Sequence, residues 1–89
     1  MTDLASFQRA LDLYGAAVYW SHHSAQSADN PVADAQELAA LLRERAVDAG
    51  VTTEQFDDAE RYARSCLSQG RKPLMAGSSF SSFRSEALS

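Results

Sequence analysis

Isoleucine is absent from this 89-residue chain, and valine (four) and threonine (three) are scarce. Strands draw on β-branched residues, so this shortage argues against a sheet. One cysteine, Cys66, excludes an internal disulfide. No run approaches the ~20 apolar residues that a membrane-spanning helix needs. Met1-Thr2-Asp3-Leu4 offers neither a basic stretch nor a long apolar segment, so no secretory signal is expected. Together these gaps point to a reducing, cytoplasmic setting away from membranes. Glycine-rich phosphate loops and nucleophile motifs are missing as well. The chain is therefore expected not to be an enzyme and to carry no cofactor. Lysine is nearly absent too. Seven of the eight basic residues are arginine, which hints at a GC-rich bacterial, phage or mobile-element origin.

Alanine dominates what is present. Sixteen alanines make up much of the 45% apolar content, leaving 24 larger apolar side chains to build a core. A chain of this size buries roughly 60–65% of its unfolded surface, so that core is thin. Abundant Ala, Leu, Arg and Gln favour helix. Charge is divided along the chain. Residues 1–60 carry 11 acids and 3 bases, whereas residues 61–89 carry 5 bases and 1 acid, within a net charge of −4. Such a division can mark a partner surface.

Apolar spacing places three helices. The first runs from Asp3, a residue suited to the N-cap, to His23 or Ser24. Leu4, Phe7, Leu11, Tyr14 and Val18 recur at intervals of three and four and form one stripe. Leu13, Ala16, Ala17 and Trp20 form a second stripe on the far side. A helix apolar on two faces is either enclosed or shared with a partner. Three helices have difficulty enclosing one of their number, which favours a partner there, most simply a second copy in a homodimer; the alternative is that Phe80 and Phe83 of the tail cover Trp20.

The second helix starts either at Asn30-Pro31, with proline in the first helical position, or at Asp34 with Glu37, shaped like a capping box. Its buried stripe is Ala35, Leu38, Leu42, Ala46 and Ala49, flanked by Ala39 and Leu41. Gly50 ends it in the left-handed position. Thr52 caps the third helix, Gln55 reciprocates, and Val51 can staple to Phe56. Phe56, Ala59, Ala63, Cys66 and Leu67 face inward, and Asp57–Arg61 and Glu60–Arg64 stand four apart for surface ion pairs. Gly70 and Pro73 stop this helix. In the tail, Phe80, Phe83 and Ala87 have helical spacing, which allows a short fourth helix from about Ser79 to Leu88.

The joint between the second and third helices carries Ala46, Gly50 four residues on, Val51, Phe56 six past the glycine, and Ala59. Over about twenty residues it resembles a DNA-binding helix–turn–helix, which implies a transcriptional regulator. Glu54, Asp57, Asp58 and Glu60 precede the first arginine of that helix. Affinity for DNA comes mainly from Lys and Arg on phosphates, and only Gln55 stands ready to read a base. Nucleic acid is thus disfavoured. The basic end Arg61, Arg64, Arg71 and Lys72 is accounted for by the helix macrodipole and nearby acids. His22 and His23 are adjacent and diverge by about 100° around a helix, so they do not converge on a metal. Cys66 on the inward stripe reads as a buried structural thiol.

The expected fold is all-α, a small three-helix bundle over residues 1–73 followed by a Ser/Phe-rich tail over residues 74–89. The expected role is a non-enzymatic protein–protein interaction module, an adaptor, subunit or inhibitor. It would dock through a helix face with Leu13, Ala17, Tyr19 and Trp20 as apolar anchors. Glu54, Asp57 and Asp58 would steer it toward a basic, nucleic-acid-handling partner.

Overall fold

The computed structural model describes residues 4–23 and 32–88. Four helices follow one another: α1 (Leu4–His23), α2 (Val32–Asp48), α3 (Thr53–Gln69) and α4 (Phe80–Leu88). No strand occurs among the described residues. The all-α bundle therefore stands, with the fourth helix formed inside the span that Phe80, Phe83 and Ala87 suggested. The Asp3 cap and the Asn30-Pro31 start lie outside the described residues. Asp34 does not begin α2, because the helix is already running at Val32 and Asp34 sits in its first turn.

The α2–α3 corner is built from two complementary devices. Gly50 has φ of 101°. Its N–H reaches the Val47 carbonyl at 3.0 Å, and the Val51 N–H reaches the Ala46 carbonyl at 3.0 Å. This pair of bonds is a Schellman motif, which satisfies carbonyls that a helix end would otherwise leave open. Two residues after Gly50, Thr52 opens a full capping box with Gln55, the Thr52 N–H donating to Gln55 Oε1 at 2.9 Å and the Gln55 N–H to Thr52 Oγ1 at 3.3 Å. Val51 and Phe56 are both buried on the inner side of the corner. A second Schellman motif ends α3. There the Gly70 N–H bonds the Leu67 carbonyl and the Arg71 N–H bonds the Cys66 carbonyl, at 3.3 and 2.8 Å.

α1 is the centre of the bundle. Residues 13–20, two full turns, are buried on every side. α2 and α3 both pack against it. Gly15 lies against Ala59, and Tyr19 lies near Cys66, so α1 and α3 run in the same direction. Ser6, Arg9, Ala10 and Leu13 of α1 share a groove with Leu42 and Arg45 near the end of α2. That pairing is the one a near-antiparallel α1–α2 arrangement requires.

The second apolar stripe of α1 is covered by the chain itself, so of the two readings the tail, and not the favoured partner, supplies the cover. Residues 70–88 return over α1. The Trp20 ring lies 6.2 Å from the Phe80 ring, and its Nε1 donates to the Ala76 carbonyl at 2.9 Å. Phe80, Phe83 and Ala87 are buried in the same core as Trp20. Ser79 caps α4 by accepting from the Ser82 N–H at 3.2 Å. At the far end, Arg9 of α1 donates to the Glu86 carbonyl at 3.3 Å and Arg45 of α2 donates to the Ala87 carbonyl at 3.2 Å. Two cations thus meet the carbonyl end of α4, where the helix dipole favours them.

Candidate functional site

The expected anchors are not a surface. Leu13, Ala17, Tyr19 and Trp20 are 5, 1, 5 and 3% exposed. The physical reason is the tail, which supplies two phenylalanines and a backbone acceptor for the indole N–H. The other expected contact residues, Glu54, Asp57 and Asp58, lie exposed on α3. The structure therefore separates the two halves of the expected site, burying one and presenting the other.

Ion pairing on α3 also differs from the i, i+4 pattern. Arg61 reaches back three residues to Asp58, Nη2 to Oδ1 at 2.9 Å. Glu60 instead accepts the Tyr14 hydroxyl at 2.9 Å. Glu60 is only partly exposed, and the α1 hydroxyl beside it offers a donor that is fixed in place. Burial first, then the Glu60 hydrogen bond and charge, push the Tyr14 phenol up to about 12, and the nearby Arg43 opposes this. The Tyr14 and Phe56 rings meet edge-on at 5.0 Å. Arg43 lies over the Phe56 ring with its guanidinium 4.8 Å from the ring centre. This cluster locks α1, α2 and α3 together at the corner.

Beside Asp58 a groove of ≈ 210 Å³ opens between α1 and α3. Leu11, Asp12 and Gly15 line it from α1, with Gly15 one turn on from the other two. Gln55, Asp58, Ala59 and Tyr62 line it from α3 at spacings of three, one and three. Leu74 closes the rim from the segment after α3. Leu74 is 66% exposed and is held there by a turn in which the Ala76 N–H bonds the Pro73 carbonyl at 3.3 Å. Met75, the third residue of that turn, has φ of 66°. A side chain in that region costs roughly 1–2 kcal/mol. The turn aims Leu74 outward and the Ala76 carbonyl inward at Trp20.

The groove is apolar at its base and acidic at its edge. Asp12 accepts from Gln8 Nε2 at 3.0 Å through Oδ1, and Asp58 accepts from Arg61 through its own Oδ1. Among the described residues the second oxygen of each carboxylate is not engaged. Such a lining suits a side chain with an apolar stem and a cationic head. Spacing rules place Leu11 and Ala59 on buried stripes and leave Gly15 and Tyr62 outside them, so nothing in the spacing marks these four as the walls of one groove. The signal that could have marked it is Gly15, a glycine in the middle of a helix without a turn to explain it.

Other candidates resolve differently. Cys66 is buried, and burial, with the Cys66 side chain as a lesser influence, raises the Tyr19 phenol above its ordinary value. Lys72 is drawn to the bundle, with Nζ 5.9 Å from the Trp20 ring centre and 3.0 Å from the Ser78 carbonyl. Arg64 and Arg71 are exposed. Among the described residues no three His, Cys, Asp or Glu side chains gather as metal ligands would, and no helix is long and apolar enough to cross a membrane. No protein family, curated protein or solved structure matches this chain.

Proposed function

We propose that this protein is a non-enzymatic interaction module whose α3 face docks onto a basic segment of another protein. The observation that carries the reading is the adjacency of an acidic helix face to an open groove. Glu54, Asp57 and Asp58 stand exposed on α3, and Asp58 also borders the groove between α1 and α3. Charge on the face steers a cationic partner and raises its encounter rate. The groove then gives the contact somewhere to bury apolar surface, which is where binding energy concentrates. The partner this chemistry fits is a protein with a basic, nucleic-acid-handling surface, which the module would cover as an adaptor, subunit or inhibitor. The reading places the protein in a reducing, cytoplasmic compartment, in keeping with its single buried thiol.

The rival reading is a helix–turn–helix regulator, favoured by the well-formed corner at Gly50 and Thr52. Three exposed carboxylates on the helix that would enter the groove of DNA oppose it, because each would face phosphate repulsion. One experiment divides the two. Fluorescence anisotropy is measured for a labelled polybasic peptide and a labelled DNA duplex, each across a salt series. The peptide should bind, more weakly as salt rises, and the triple variant E54Q/D57N/D58N should lose it. Retention of the duplex with no binding of the peptide would reverse the assignment.

A further inference from the structure

We infer that the α1–α3 groove is a pocket for one arginine side chain of the partner protein. This rests on the docking reading above and adds the residue type that is read. The floor supplies the first argument. Gly15 lies inside a helix, where glycine is less stable than alanine. Packing does not demand it. A Cβ at this position would meet nothing nearer than the Ala59 carbonyl oxygen at 3.8 Å and the Ala59 Cβ at 3.9 Å, which are ordinary contacts. The missing methyl leaves depth at the base of the groove, at a cost in stability that the fold alone does not require. Trading stability for an open site is a recurrent property of binding positions.

The walls supply the second argument. Leu11 and Leu74 offer apolar surface to a long stem, and Tyr62, half-exposed, offers a ring beside it. Asp12 and Asp58 place two carboxylates at the edge, each with an oxygen to spare. An arginine fits all of these at once. Its methylene stem lies along apolar side chains, its planar guanidinium stacks on an aromatic face, and its several N–H groups can serve two carboxylates together. A lysine would satisfy the charge but neither the stacking nor the forked geometry. Arg61 is bonded to Asp58 Oδ1 at 2.9 Å and is not among the residues that line the groove.

The test is an amide chemical-shift titration of the full chain with short peptides. They share leucine and alanine flanks and differ only in a central arginine, lysine or glutamine. The arginine peptide should shift the amides of Leu11, Gly15, Ala59 and Tyr62. It should bind at least about fivefold more tightly than the lysine peptide. Asp12→Asn and Asp58→Asn should each weaken it about two- to fivefold. Gly15→Ala should weaken it while raising the melting temperature, which separates a filled pocket from a damaged fold. Equal binding of the arginine and lysine peptides, with shifts confined to the Glu54 and Asp57 region, would overturn the arginine pocket and leave acidic docking standing. Failure of a polybasic peptide to bind at all would remove both. If the same amides shift when the free chain is diluted, a second copy occupies the groove and the inference is again overturned.

Discussion

The Trp20 indole and the Ala76 carbonyl, 56 residues apart in the chain, are joined by a hydrogen bond of 2.9 Å. Around that bond Lys72 and Phe80 close over the indole from the two ends of the connecting segment. The tail is thereby part of the core and supplies the wall that α1 lacks.

Phe83 is among the largest fully buried side chains, and removing it should undo this wall. Phe83→Ala should cost about 3–5 kcal/mol, a large share of the ~5–15 kcal/mol typical of a small domain. Urea unfolding followed by Trp20 fluorescence reads both the loss of stability and a red shift of the emission. An unchanged midpoint and emission would mean that α4 is not docked in solution.

Gly15→Ala should stabilise the fold. Helix propensity favours alanine by roughly 0.5–1 kcal/mol at an interior site, and the new methyl meets only ordinary contacts with Ala59. Thermal unfolding of the two proteins side by side checks this. A lower melting temperature for the variant would show that α1 and α3 approach more tightly than 3.8 Å allows.

The corner should respond to Gly50 and Thr52 through different causes. A Cβ at Gly50 meets nothing within 4 Å, so Gly50→Val pays for backbone conformation alone. At φ of 101° a β-branched residue is a genuine outlier, and the cost should exceed about 1 kcal/mol. Thr52→Ala removes the cap of α3 and should cost about 1 kcal/mol. Urea midpoints of each single variant and of the pair check both values. The residues are neighbours, so the pair need not sum.

Alkaline pH should unfold the protein in a window that Tyr14 sets. The phenol ionises at 10.0 in its ordinary state and at about 12 in the fold, so the folded chain holds this proton more tightly than the unfolded one. The resulting stability is fully present below pH 10 and is lost as pH rises toward 12. Tyr14→Phe should flatten that decline in urea midpoints measured from pH 9 upward. Tyr19, also raised, keeps part of the slope in place. A wild-type midpoint that stays level through this range would contradict the part-buried Tyr14–Glu60 bond.

Legibility in the sequence followed the range of the interactions involved. The Gly50–Thr52–Gln55 corner is written in adjacent residues, and each one meets its partner within five positions, so spacing rules reach it. The α2 stripe is local in the same sense: Ala35, Leu38, Leu42 and Ala46 are buried and Ala49, at the helix end, is half-buried. Trp20 is different. Its two-faced helix signals a need for cover, and periodicity alone does not choose between a partner and the Phe80 and Phe83 tail that supplies it. The same limit applies to Glu60. Its helical spacing to Arg64 is visible, whereas the Tyr14 hydroxyl that it accepts reaches it only through the α1–α3 packing. Asp58 is readable as an exposed acid, but not as the edge of a groove, because the groove belongs to two helices at once.

The placement of α4 has a consequence for the protein's birth. During synthesis at roughly 5–20 residues per second, α1, α2 and α3 are complete before residues 80–88 have formed. Until then the strip around Trp20 lacks the cover that Phe80 gives it in the fold. Arrival of Phe80 and Phe83 supplies it. α4 thus joins the core later in synthesis than the three helices that precede it.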